Sequence, residues 1–379
     1  MQRRVFHVLH LSTVHPANDV RLLGKEAAAL AAAGHHVELW GRHHRSEIHS
    51  GVMIHPLPPI TFRLQRMIWL PIVVLAASLR RRADFHHLHD PELLPIGMLL
   101  AFTGRRVIYD IHENVPGSIM TKHWIPPLLR RLTASAADIL ERAAMQLLAG
   151  FVPATPAIAR RFPPKRTQVV QNFPRLEEFS EYSGVRAPSA QEAVFAYVGV
   201  LTEPRGALQM LDALALTPDH YRLVIMGGVV PAELFDRMTI HRAWSRVTFL
   251  GQRPRTEAMK LLMHAHAGLV LFHPEPNHVE SQPNKLFEYM AAGLPVIASD
   301  FPLWRELIGG QACGLLVNPL DAVAIAQAMT DIIGNPAEAT SMGNRGRTAV
   351  YEHLNWSNEA SKLLQFYSQL ALENDHSIL

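Results

Sequence analysis

A chain of 379 residues exceeds what one ordinary hydrophobic core organises, and two domains are expected. Its 48% hydrophobic and 18% charged content is that of a folded globular protein, and the single cysteine, Cys313, excludes an internal disulfide framework and fits a reducing compartment. The net charge of +3 hides an asymmetry: 22 Lys and Arg against 14 Asp and Glu through residue 182 (+8), then 14 against 19 (−5). A basic first half suits an anionic membrane surface or a phosphorylated acceptor, with scattered surface charge as the plain alternative. Nucleic acid is not expected, because the arginines are not interleaved with aromatics.

In chain order, residues 5–11 predict a strand. The run is too short for a signal peptide and is broken by His7 and His10. A loop over 12–19, a helix over 20–33 ended by Gly34, and a strand over 37–40 complete a strand–helix–strand unit of the doubly wound kind. No Gly-x-Gly-x-x-Gly lies in that first loop, so no dinucleotide cofactor is expected. Asp19 and Arg21 stand at the mouth of the unit as acceptor-binding candidates, and Asp19 reads equally as a helix cap. The apolar run 67–79, flanked by Arg63, Arg66 and Arg80 to Arg82, is short of the roughly 20 residues that span a bilayer. It predicts a core helix with solvated ends or, more sharply, a helix resting on an anionic membrane.

Strands are expected at 85–89 and 107–111. The sheet rule places Asp90, Glu92, His112 and Glu113 together at their carboxyl ends. A helix over 128–148, a strand over 150–156 and a last strand over 168–171 finish the first domain. The polar, aperiodic stretch 177–192 reads as a linker. The second domain alternates strands at 193–199, 222–226, 247–250, 268–271 and 315–317 with helices from 207, over 256–266 and over 321–333; a helical stretch over 351–372 closes the chain. The 22 histidines form no His-Glu-x-x-His, and the chain has no Asp-x-Asp, so no metal site is expected.

The most informative stretch is 280–300. A polar approach, Glu280-Ser281-Gln282-Pro283, leads into a short helix with an apolar face of Leu286, Phe287 and Met290, then Gly293 and a strand from 296. Pro283 suits the first helical position, with Ser281 as the better cap. The free backbone N–H groups around Asn284, Lys285 and Leu286 make an anion site flanked by the carboxylates of Glu280 and Glu288.

Glu280, seven residues, Glu288 and then Tyr-Met-Ala-Ala-Gly-Leu-Pro-Val-Ile-Ala resembles the donor-site signature of retaining glycosyltransferases of the GT-B fold. The resemblance implies that Glu288 holds the donor ribose and Glu280 contacts the transferred sugar. It departs where the family's Gly-Phe-Gly is Ser281-Gln282-Pro283. The loop Gly199-Val200-Leu-Thr-Glu-Pro-Arg205-Gly206 is similar to the family's Gly-Arg-Leu…Lys-Gly loop, whose two cations bind the donor diphosphate. Arg205 takes one cation's place, Val200 replaces the other, and Lys285 is the candidate to compensate. Tyr109-Asp-Ile-His112 is similar to the family's strand-then-His element near the transferred sugar.

The resemblance implies an α/β protein of the GT-B fold, with two Rossmann-like doubly wound domains facing a cleft. The expected limits are an acceptor domain 1–178, a linker 179–192, a nucleotide-sugar domain 193–355 and a helix 356–379 returning to the first domain. The expected activity is metal-independent retaining transfer, without cofactor, from a UDP-, GDP- or other nucleotide-sugar donor to a glycan or lipid-linked acceptor. The catalytic set would be Glu280, His112 and Arg205, and the donor set Gly199, Arg205, Asn284, Lys285, Leu286 and Glu288. Asp19, Arg21 and Glu113 would meet the acceptor. A cytoplasmic protein is expected, with peripheral membrane association as its extension. A nucleotide-sugar 2-epimerase, or a non-catalytic sugar-binding or scaffold protein of a glycan assembly complex, would fit the same architecture.

Overall fold

The computed structural model describes residues 4–121, 125–180 and 191–375. The chain divides into Met1–Asn172 with Ser357–Leu379, and Phe173–Trp356. The first unit therefore ends at Asn172 rather than at 178. Glu177–Ser180, expected to open the linker, is helical, and 181–190 lie outside the described residues.

The first unit is a seven-stranded sheet, with β1 (His7–Pro16), β2 (His36–Arg42), β3 (Glu47–His49), β4 (Val52–Pro56), β5 (Phe85–Leu88), β6 (Arg106–Ile111) and β7 (Gly150–Pro153) in the order β3-β4-β2-β1-β5-β6-β7. Only the β3–β4 pair is antiparallel. The second unit has β8 (Ala193–Val198), β9 (Tyr221–Met226), β10 (Val247–Gly251), β11 (Ala267–Val270), β12 (Val296–Ser299) and β13 (Gly314–Val317) in the order β10-β9-β8-β11-β12-β13, all parallel. Both are Rossmann-like sheets whose order reverses beside the first strand, β1/β5 and β8/β11. That reversal opens a crevice at the carboxyl ends where ligands bind. Helices cover the sheets, so β5, β7, β11 and β12 are buried along their whole length.

Several boundaries depart from the sequence pattern. β1 runs on through Ser12 to Pro16, and the following helix begins as a π-turn, Leu22–Ala27, before Ala28–Ala32. β3 and β4 are additional strands, too short for period-2 alternation to mark them. The expected strand at 168–171 is not one. Thr167 makes an isolated bridge to Phe151, and Gln168 and Val170 N–H groups donate to Phe151 and Pro153 oxygens. The helical stretch 351–372 belongs to two helices, Pro336–Glu352 and Trp356–Asp375. The second packs in the first unit, where the Glu359 carboxylate accepts the Gln171 N–H and Tyr367 Oη lies 2.7 Å from His87 Nδ1.

The second unit needs a glycine after its first strand. Gly206 sits at φ +80°, and a Cβ there would lie 2.3 Å from the Leu271 carbonyl oxygen. The loop after β8 can pass β11 this closely only without a side chain. Gly206→Ala is expected to destabilise the protein by about 1–3 kcal/mol, read from urea unfolding.

Candidate functional site

The crevice of the second unit is a cavity of about 590 Å³, lined by the loops that follow β8, β9, β10 and β11 and by the start of the helix Asn284–Ala291. Apolar residues fix that helix. Leu286, Phe287, Tyr289 and Met290 are buried, and the Tyr289 hydroxyl accepts the Val198 N–H at 2.8 Å. Gly268 leaves room for the Tyr289 ring, which a Cβ would meet at 2.2 Å.

The helix start differs from its expected form. Pro283 is the N-cap, with no side-chain cap, and Ser281 instead donates its hydroxyl to the His278 carbonyl and accepts the Trp304 indole N–H. Leu286 N–H is spent on the Pro283 oxygen at 3.0 Å, and its side chain belongs to the core. Of the three expected amides, those of Asn284 and Lys285 are left to the cavity by the geometry of a helix start.

Gly199, Arg205, Asn284, Lys285 and Glu288 line this one cavity. Lys285 is 8% exposed, and its ammonium has no hydrogen-bond partner. Nζ lies 3.6 Å from the centroid of the Tyr197 ring and 5.6 Å from that of Phe272. Burial, then the nearby Arg205 guanidinium, hold its pKa well below the ordinary lysine value. Arg205 stacks over Phe272 at 5.6 Å and donates to the Val200 carbonyl, which also accepts the Tyr197 hydroxyl. Val200 thus contributes a carbonyl that steers a cation where the family resemblance implies a second cation.

Glu288 is not free. Its carboxylate pairs with Arg255 at 2.9 Å, and Arg255 also reaches Glu178 at 2.6 Å. Arg255, His278 and Arg253 line the cavity too, and none was marked by the sequence motifs. The position of Arg255 just beyond the carboxyl end of β10 is the signal that would have found it. Glu280 is exposed at the end of the short helix Pro276–Val279 and is not among the cavity-lining residues.

The carboxyl ends of the first unit hold a buried polar network. Asp110 accepts from Arg21 Nη2 at 2.6 Å and Nε at 3.2 Å, and lies 3.0 Å from His89 Nδ1 and 2.5 Å from His112 Nε2. Burial alone would raise the Asp110 pKa, but Arg21 and His112 hold it well below the usual carboxylate range. Burial opposes charge on His112, and Asp110 outweighs it, so the His112 pKa is raised above its ordinary value. Asp90 and Glu92 join the cluster as expected. Asp90 accepts the Thr13 and Val14 N–H groups, and Glu92 accepts the Thr13 hydroxyl and pairs with Arg66. Glu113 is exposed.

The two acceptor candidates near the first helix both have protein partners. Arg21 is 4% exposed and fully engaged by Asp110, Glu26 and the Val170 carbonyl. Asp19 Oδ1 accepts the Arg21 and Leu22 N–H groups, the capping alternative.

Two family models match the chain in tandem: "Glycosyl transferase 4-like domain" over residues 21–172 and "Glycosyl transferases group 1" over 179–349. The chain belongs to the GT-B glycosyltransferases. It is 26% identical over 395 residues to a glycogen synthase of Mycobacterium tuberculosis, covering 95% of this chain and 89% of that one. A GDP-mannose-dependent alpha-mannosyltransferase of the same species is 28% identical over 298 residues, covering 73% and 72%. Among solved structures, sucrose-phosphate synthase from Thermosynechococcus elongatus matches with TM-score 0.79 and 24% identity over 98% of this chain and 100% of that one. Anabaena HepE in complex with UDP-glucose matches with TM-score 0.71 and 16% identity over 96% and 100%. These likenesses confirm the fold of this glycosyltransferase.

The buried, unpartnered ammonium makes Lys285 a destabilising residue in the ligand-free protein. Lys285→Met is expected to raise unfolding free energy near neutral pH by about 1–3 kcal/mol. The lowered folded pKa means the unfolded chain binds more protons up to the ordinary value of 10.5. Wild-type stability should therefore gain on the variant as pH rises through that window. Urea melts of both proteins across pH check the sign.

Proposed function

We propose that this glycosyltransferase moves a sugar from a nucleotide-sugar donor to a glycan or lipid-linked acceptor, with retention at the anomeric carbon and without a metal ion. The observation that carries the reading is the unpartnered Lys285 ammonium, set in one cavity with Arg205 and the amide-bearing start of the helix Asn284–Ala291. A desolvated cation beside a second cation and a helix N-terminus is a preorganised site for an anion that gains charge as it leaves. A diphosphate is such an anion, and HepE, a neighbour in fold, is known in complex with UDP-glucose.

The residues divide the work as follows. Lys285, Arg205 and the Asn284 and Lys285 amides hold the diphosphate. Glu288 accepts hydrogen bonds from the ribose hydroxyls, shifting its pairing with Arg255. The sugar C1–O bond breaks, and its electron pair goes to the diphosphate. The acceptor hydroxyl forms the new C1–O bond on the same face and passes its proton to the departing phosphate oxygen. Glu280 supports the sugar once the donor is bound, and His112 hydrogen-bonds to a sugar or acceptor hydroxyl. Two protein cations supply the charge that a metal ion supplies in enzymes with Asp-x-Asp.

Arg205→Ala is expected to slow transfer about a hundredfold. Glu288→Ala should raise the donor Kd by calorimetry, with wild-type turnover unchanged by EDTA added at assay. Proton NMR of the initial product should show the donor's anomeric configuration; inversion, or donor altered without acceptor as in an epimerase, would remove the reading.

The second part of the proposal concerns where the acceptor resides. The helix Arg63–Leu79 buries Leu70, Val74 and Ala77 but leaves Leu64, Met67, Ile68, Trp69 and Ile72 exposed, followed by the exposed Arg80 and Arg82. No helix among the described residues is long and apolar enough to cross a membrane. An exposed apolar row beside arginines suits the surface of an anionic bilayer. Co-sedimentation should be stronger with anionic than with zwitterionic vesicles and should fall for Trp69→Glu; equal pelleting of both proteins would count against it.

A further inference from the structure

The histidines, which no spacing motif joins in the sequence, converge inside the first unit. His10 on β1 and His87 on β5 are directly paired across adjacent parallel strands, and His89 follows two residues later on the same face. The π-turn Leu22–Ala27 lays Glu26 against them. His10, His87 and Glu26 are completely buried, and His89 is 2% exposed. One ligand atom from each of the four residues lies within 4.8 Å of every other.

The hydrogen bonding of this cluster is one-sided. His10 Nδ1 faces His89 Nε2 at 2.8 Å, and His89 Nδ1 faces Asp110 at 3.0 Å. His87 Nδ1 is bonded to Tyr367 Oη at 2.7 Å. Among the described residues, His10 Nε2, His87 Nε2 and Glu26 Oε2 have no hydrogen-bond partner, and Glu26 Oε1 is paired with Arg21 Nη2 at 2.9 Å. Glu26 Oε2 and His87 Nε2 are 3.9 Å apart. Ligands about 2.0–2.2 Å from a tetrahedral ion stand about 3.4 Å apart, so a small contraction closes the set.

We propose that His10 Nε2, His87 Nε2 and the Glu26 carboxylate form a buried structural site for a divalent transition-metal ion of the zinc type. The second partners are those such a site needs. Each ligating imidazole uses its other nitrogen on a fixed group, Tyr367 for His87 and the His89–Asp110 relay for His10, which sets tautomer and ring orientation. Two imidazoles and one carboxylate suit zinc, cobalt or nickel rather than magnesium or calcium. Arg21 Nη2 is shared between Asp110 and Glu26 Oε1, which leaves Glu26 Oε2, the oxygen facing His87, for the ion. A water completes the coordination, and full burial keeps substrate away. The ion is structural: it ties β1, β5 and the first helix together and, through Tyr367, the helix Trp356–Asp375. It is separate from the donor cavity and leaves the metal-independent transfer step unchanged.

The test uses the full chain without a polyhistidine tag, stripped by prolonged dialysis against chelator and given one equivalent of Zn²⁺ or Co²⁺. After desalting, about one ion per chain should remain by elemental analysis. The Co²⁺ form should show visible d–d absorption, and Zn²⁺ should raise the Tm by several degrees. His87→Ala and Glu26→Gln should lose the ion, whereas the exposed His44→Ala should keep it. No retained ion in the wild-type chain, or full retention by the folded His87→Ala and Glu26→Gln chains, overturns the proposal. If neither variant folds, X-ray absorption of the Co²⁺ form decides: two imidazoles with carboxylate oxygen support the site, and any other protein set rejects it.

Discussion

A charge kept out of water without a counter-ion is the constraint on which the second unit turns. The Lys285 ammonium is held over the Tyr197 ring, close enough to Gly199 that a Cβ there would stand 3.3 Å from Nζ. Among the described residues its ammonium has no hydrogen-bond partner, so its burial costs free energy that apolar packing must offset. The helix that carries it does so on its other face, through Phe287, Tyr289 and Met290. The cation is therefore placed by hydrophobic forces at the edge of the cavity. This is the arrangement a site needs if most of its binding is to be felt as charge develops.

The first unit meets the opposite demand. Asp110 is a buried carboxylate surrounded by more donors than it needs, with Arg21, His89 and His112 all directed at it. Such a hub fixes geometry rather than adding much stability, since desolvation consumes most of the Coulomb attraction. Arg21 is engaged in holding the hub together. His112, only partly buried, is the member that carries the hub's charge toward solvent.

The parallel sheets tie these two devices to function. Each reverses its order beside its first strand, and each places its polar loops at the carboxyl ends next to that reversal. Arg255 shows what this adds beyond any motif. It reaches Glu288 from the end of a different strand, so the carboxylate expected to grip ribose is already oriented by a cation. Glu288 is therefore a side chain already held in place before any ligand meets it.

Local pattern was enough for the alternation of strands and helices, for the sites at their carboxyl ends, and for gathering Gly199, Arg205, Asn284, Lys285 and Glu288 in one cavity. Periodicity and turn residues act over a few positions, and the sheet rule converts them into place. It was not enough for β3 and β4, too short to show a period, or for 168–171, whose backbone bonds to Phe151 and Pro153 do not extend into a strand. Nor did it foretell that Pro283 would cap its helix, that Glu280 would stand outside the cavity lining, or that Arg255 would hold Glu288. The partners of a charge are decided by burial and by segments far away in the chain. Arg21 meets Val170 across 149 positions, and His87 meets Tyr367 across 280. The sequence by itself determined which residues could carry charge to a ligand; only the folded chain decided which were spent on one another, because desolvation makes each buried charge take the nearest partner that packing supplies.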